Sequence, residues 1–118
     1  MAAFDAGINT ASATIANGAS LSDAVTIQNS AVVGIIMPGT WTAAVLTLQG
    51  SVDGTTFTDL YDPFGAEIVI AAAASRHIVI PPASLNGLAA IKLRSGTAGA
   101  AVNQGAARSI TVVTRRVA

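Results

Sequence analysis

The chain has 118 residues, six basic and six acidic side chains, no cysteine and only 10% charged residues. That length suits one domain, and the composition excludes disulfides, thiolate metal sites and nucleic-acid binding driven by net charge. At 52% hydrophobic it is too apolar for the disordered class, yet its longest apolar runs, Ala31–Met37 and Ile68–Ala74, are seven residues each, far short of the ~20 of a membrane helix.

The first ten residues, Met1–Thr10, are mostly small and read as an extended arm carrying Phe4. They lack the basic and long apolar regions of a signal peptide, so the expectation is a complete small product made in the cytoplasm. Residues 11–118 read as a single domain. Alanine fills 25 positions, but it is interleaved with Thr, Val, Ile, Ser and Gly, which disfavour helix. Turn signals recur at short intervals: Asn17-Gly18, Pro38-Gly39, Asp53-Gly54, Asp62-Pro63, Pro81-Pro82, Asn86-Gly87 and Ser95-Gly96. Short strands at that spacing predict a β-sandwich or barrel.

Nine strands are expected, near 11–16, 21–28, 31–37, 43–51, 55–61, 66–72, 75–80, 89–95 and 107–116. In 43–51, Ala44, Leu46 and Leu48 share one face and Ala43, Val45, Thr47 and Gln49 the other. In 89–95, Ile91 and Leu93 point to the core and Lys92 and Arg94 to the surface. A turn of helix is expected at Pro82–Leu85, and Thr97–Gly105 reads as a long flexible loop. With aromatics at only 4%, the core is built from small side chains and buries little area per residue. Burial between copies would make up the shortfall, so a homo-oligomer or a partner-bound subunit is expected.

Few residues are equipped for chemistry. His77 is the sole histidine and has no cysteine to pair with; no Gly-x-Ser-x-Gly elbow accompanies it. Its reading is structural, and the chain is expected not to be an enzyme and to use no cofactor. Asp53, Asp59, Asp62 and Glu67 fall in one hairpin region, where oxygen ligands for calcium are conceivable. Ordinary turns explain them better: Asp53-Gly54 as a hairpin turn, Asp62-Pro63-Phe64-Gly65 as a second. Ser95-Gly96-Thr97-Ala98-Gly99 is a weak phosphate cradle. Trp41 and Tyr61 could stack on a sugar ring, but core or interface anchoring is the stronger reading. Arg76, Lys92, Arg94 and Arg108 form either a surface stripe for an acidic partner or internal ion pairs.

The stretch Trp41-Thr-Ala-Ala-Val-Leu-Thr-Leu-Gln-Gly-Ser51-Val-Asp53-Gly54-Thr-Thr-Phe57-Thr-Asp59-Leu60-Tyr61 resembles the hairpin of discoidin-like, or galactose-binding-like, jelly rolls. Ser75–Ile80 and Ala90–Gly96 resemble the returning strands of that pattern. The chain is also similar to small structural proteins of tailed bacteriophages, through Arg94-Ser95-Gly96 and Val102-Asn103-Gln104. The resemblance spans about residues 20–116. It implies an antiparallel jelly-roll sandwich of eight or nine strands. It also implies a virion role: a capsid decoration or cement protein, made in the host cytoplasm and carried on the outer capsid surface.

Such a subunit would bind the major capsid protein and itself, with a trimer favoured by analogy, and neither nucleic acid nor membrane. Phe4, Arg76, Lys92, Arg94, Arg108, Asn103 and Gln104 are the candidate partner-binding residues. The alternative is a carbohydrate-binding module of a tail or fibre, using Trp41 and Tyr61 with Asn103 and Gln104.

Charge order adds one expectation. All six acids precede residue 68 and all six bases follow residue 75. Either they pair across the sheets, or the subunit carries one acidic and one basic patch. Acids in turns and Lys92 and Arg94 on strand faces favour the patches, and with them salt-sensitive head-to-tail assembly.

Overall fold

Alternation of small apolar and polar residues builds two antiparallel sheets, and the apolar halves of the strands face one another. The computed structural model describes residues 7–81, 85 and 87–116. The strands are β1 (Ile8–Ile15), β2 (Val25–Thr26), β3 (Ser30–Ile36), β4 (Leu46–Ser51), β5 (Thr58–Asp59), β6 (Val69–Ile70), β7 (His77–Val79), β8 (Ala90–Ser95) and β9 (Arg108–Arg116). One sheet has the order β1-β9-β3-β7; the other runs β2-β8-β4-β5, with β6 also on β4.

This order is that of a long hairpin rolled up. The first strand pairs the last, β2 pairs β8, β3 pairs β7, and β4 turns back into β5 and β6. Closure comes from β3 on β9 and β4 on β8. It is the jelly-roll arrangement of a β-sandwich. β5 and β6 lie end to end along β4, against Gln49–Gly50 and Leu46–Thr47.

All nine expected strands are present, most of them shorter than expected. One boundary differs in kind. Ile8–Thr10, expected in the arm, belong to β1, because they pair in register with Val113–Arg115. Of the rest of the expected arm, Gly7 leads into β1 and Met1–Ala6 lies outside the described residues, as do Pro82–Ser84 of the expected helical turn; Leu85 is buried in the core.

The core joins both sheets. Ala13 and Ile15 of β1, Val32 and Ile35 of β3, and Ile110 and Val112 of β9 pack against Leu46 and Leu48 of β4 and Ile91 and Leu93 of β8. Ile35, Leu46, Leu48, Ile91, Leu93 and Ile110 are at most 1% exposed. The inward face read from the sequence for β4 and β8 is therefore correct.

On the outer face of the second sheet, one expectation is overturned. Thr47 points away from the core yet is fully buried. Its hydroxyl donates to the Gly96 carbonyl (2.7 Å) and accepts from Arg94 Nε (3.0 Å). The loop after β8 covers this face and is not a free, flexible segment. Val102 N–H returns to the Ser95 carbonyl, Gly105 N–H reaches Thr42 Oγ1, and Gly96 bridges Ala101. Gly96 makes the turn possible: its φ is +89°, and a Cβ there would stand 2.5 Å from the Ala100 carbonyl oxygen.

Candidate interaction surfaces

The four bases, read either as a surface stripe or as members of internal ion pairs, are dispersed by the topology. Arg76 precedes β7 and Arg108 opens β9, at separate places in one sheet, while Lys92 and Arg94 lie on β8 in the other. Arg94 is the clearest correction. It is 8% exposed, and its guanidinium contacts Asp59 Oδ1 and Glu67 Oε2, each at 2.7 Å. Burial of a guanidinium requires such compensation.

The pairing runs along one sheet, from β8 over β4 to β5 and the strand entry at Glu67, and not between sheets. Glu67 also accepts from the Ala98 N–H, which ties the covering loop to the same cluster. The Arg94 hydrogen bond, with a second from Gln49, holds Asp59 below the usual carboxylate range. One base and two acids are thus withdrawn from any charged patch. Lys92 stays partly exposed, its Nζ 4.6 Å from the centroid of the Phe57 ring.

Gln104, expected on a contact loop, is 1% exposed. Its Oε1 accepts from Thr42 N–H and Arg108 Nε; its Nε2 donates to the Thr42 carbonyl and Ser95 Oγ. It is an internal clasp, and Arg108 is part of it through Oε1 and Thr42 Oγ1. Asn103 is exposed beside it. Nothing in the sequence marked Gln104 as buried, because Thr42, its main partner, lies 62 residues away.

The two large aromatics separate. Trp41 packs on the core, and its indole N–H donates to the Ala44 carbonyl (3.1 Å). Tyr61 is 55% exposed and lines a shallow cavity of about 610 Å³ with Ser51, Asp53, Thr56, Thr58 and Asp59. Trp41 does not line that cavity, so the two do not form one stacking platform. Asp53 serves its own turn: Oδ1 accepts from Thr55 and Thr56 N–H and from Ser51 Oγ. Those bonds, the Thr56 and Thr55 amides foremost, lower its pKa from 3.8 to about 2. Among the described residues no three His, Cys, Asp or Glu side chains cluster in a way that would hold a metal ion.

The least guarded surface lies where the sheets part at β6 and β7. Between them runs an apolar groove of about 440 Å³, floored by Leu48, Ile70, Ile78, Ile80 and Leu85. Val69 and Val79 stand at its lips, 50% and 80% exposed. Arg76 and His77 are the charged or titratable side chains that line it. The Arg76 Nη1 donates to the Ala71 carbonyl at 3.0 Å. His77 is exposed and packs its ring over Gly34, where a Cβ would lie 3.1 Å from Nε2.

The outer face of the same sheet is uncharged at its centre. Register places Thr10, Val113, Gly34 and Val79 in one row across it, and Ser12, Thr111, Ile36 and His77 in the next. Phe4 lies outside the described residues.

No protein-family model matches the chain, and no curated protein or solved structure shows significant similarity to it. What fold and surface define together is a jelly-roll β-sandwich with an open, apolar edge.

Proposed function

We propose that this chain is a structural virion protein, a capsid decoration or cement subunit that associates with itself and with the major capsid protein. The observation that carries the reading is the exposed apolar edge at β6 and β7. Soluble domains blunt such edges with charge, proline or bulges. Here β7 is short and Pro81 follows it, but Val69 and Val79 remain open above an apolar groove. Exposed apolar surface of this kind marks an interaction site. The sequence resemblance to small phage structural proteins supplies the virion setting. On this reading the subunit adds buried area across junctions of the capsid lattice and opposes internal pressure.

The test is co-sedimentation of the purified protein with capsids of the phage whose genome carries it, stripped of decoration. Binding that raises the temperature of capsid disruption supports the reading. A protein that never sediments with such capsids, at any concentration, overturns it.

One observation favours a second reading, a carbohydrate-binding module. Tyr61 is half exposed in a cavity rimmed by Thr56, Thr58 and the carboxylates of Asp53 and Asp59. A glycan-array signal lost in Tyr61→Ala would select that reading over the first.

A further inference from the structure

We propose that the groove between β6 and β7 receives the segment Met1–Ala6 of a second copy of this chain, with Phe4 in the apolar floor and Asp5 facing Arg76 and His77. This rests on the self-assembly half of the reading above and is independent of the capsid.

The groove dictates what can fill it. Its floor is aliphatic, its lining includes two basic side chains, and among the described residues no acid lines it. A fitting occupant therefore carries one large apolar group next to one negative charge. The segment Met1-Ala2-Ala3-Phe4-Asp5-Ala6 has that pattern: one aromatic, then one acid, with no base. Its three alanines let a backbone lie close against a strand edge.

The backbone of β7 offers the matching half of a ladder. Met37 N–H donates to the Arg76 carbonyl and Ile80 N–H to the Val33 carbonyl, so the even-numbered residues of this strand turn their polar groups toward β3. In an antiparallel ladder alternate residues face opposite sides. His77 and Val79 therefore turn N–H and C=O outward, at the end of the sheet order where no described strand pairs them. An added strand gains hydrogen bonds there, and its side chains fall into the groove at every second residue.

Reach decides whose segment it is. Gly7 is held at the start of β1, where its carbonyl accepts from Arg116 N–H (2.9 Å). β1 and β7 are opposite edges of one sheet, three strand spacings apart. At ~4.8 Å per spacing that is about 14 Å. Phe4 stands three residues before Gly7, an extended span of about 10 Å at most. The chain's own Phe4 backbone falls short of its own β7, so the occupant comes from a neighbour. Donor and acceptor surfaces then differ, so copies join either head-to-tail in a ring or by two-fold reciprocal exchange in a pair.

The chain has no cysteine, so introduced pairs report cleanly. Side chains alternate along β7, so a Phe4 turned to the floor faces Ile78 rather than Val79. Phe4→Cys and Ile78→Cys are made in separate chains, co-expressed and oxidised. A disulfide-linked band of twice the chain mass on non-reducing gels is expected, absent when either variant is oxidised alone. In light scattering, a chain beginning at Gly7 and a full chain carrying Val79→Asp should both lose the oligomer while keeping the wild-type far-ultraviolet circular dichroism.

Absence of the mixed disulfide, or an oligomer that survives in the shortened chain, overturns arm exchange and leaves self-assembly through another surface standing. A wild-type chain that is monomeric up to millimolar concentration overturns both. A double variant that oxidises within one chain at high dilution overturns the assignment to a neighbour.

Discussion

The two open ends of the sandwich are built in opposite ways. At β1 and β2 the sheets are sewn together: Thr14 N–H donates to Asp23 Oδ1, and Asp23 N–H returns to the Thr14 carbonyl. Ser22 anchors the same segment within the second sheet, its Oγ accepting from Leu93 N–H while its own N–H reaches the Leu93 carbonyl. At β6 and β7 a single side-chain bond, from Arg76 Nη1 to the Ala71 carbonyl, crosses among the described residues, no backbone bond joins the two strands, and the gap is lined mainly with Ile, Leu and Val. Polar stitching closes an edge and satisfies its backbone. An apolar edge left open keeps a driving force for association in reserve. The open side is not loose, because Arg94 holds β5 and the entry to β6 from outside the sheet.

That contrast is breakable, beginning with the cluster on the open side. Arg94→Leu leaves two carboxylates without their cation. Removing one partner of a buried ion pair costs 3–5 kcal/mol, and with the Asp59 side chain 33% exposed the lower end applies, about 3 kcal/mol. Thermal unfolding should show a large fall in Tm, and hydrogen exchange should quicken at β5 and Ala98 before β1.

Gln104→Ala removes the clasp that joins Thr42, Ser95 and Arg108. It should cost about 2 kcal/mol, since buried donors and acceptors lose their partners. The denaturant midpoint measures it.

At the closed edge the effect is smaller. Asp23→Ala removes one hydrogen bond from the Thr14 N–H and should cost about 1 kcal/mol. Exchange at Thr14 should rise, with β8 unaffected. If Asp23→Ala proved as damaging as Arg94→Leu, the ranking of the two edges would be wrong.

Acid gives the mildest probe. The Asp59 carboxyl, beside Arg94, and the Asp53 carboxyl, at about 2, both titrate below their ordinary value of 3.8. A depressed folded-state pKa stabilises the protein above the unfolded value, and that stability drains as pH falls through the folded one. Stability should therefore hold above pH ~4 and decline toward pH 2. Asp53→Asn should flatten part of that slope in urea titrations run from pH 5 to 2.

The resemblance and the composition made different parts of the molecule legible. Turn dipeptides and alternation placed nine strands, and the apolar positions of β4 and β8 identified Leu46, Leu48, Ile91 and Leu93 as core. Polar residues on outer faces were misread. Arg94 and Gln104 have the composition of surface residues, and only partners 27, 35 and 62 positions away bury them. Thr47, correctly placed on the outer face of β4, is buried there by a loop that begins 49 residues later.

The sequence by itself determined that the chain is all-β, with a core of small aliphatic side chains and without cysteine chemistry. Those properties follow from local periodicity and from residue counts, which need no partner in space. The tertiary structure alone decided which charges cancel internally and which edge stays open. Both depend on the roll-up that brings β8 beside β4 and leaves β6 and β7 unjoined. Of the six acids and six bases, Asp59, Glu67 and Arg94 are withdrawn from any patch by pairing with one another. These most buried charges form a cluster within one sheet, and the groove at β6 and β7 is apolar with a basic rim.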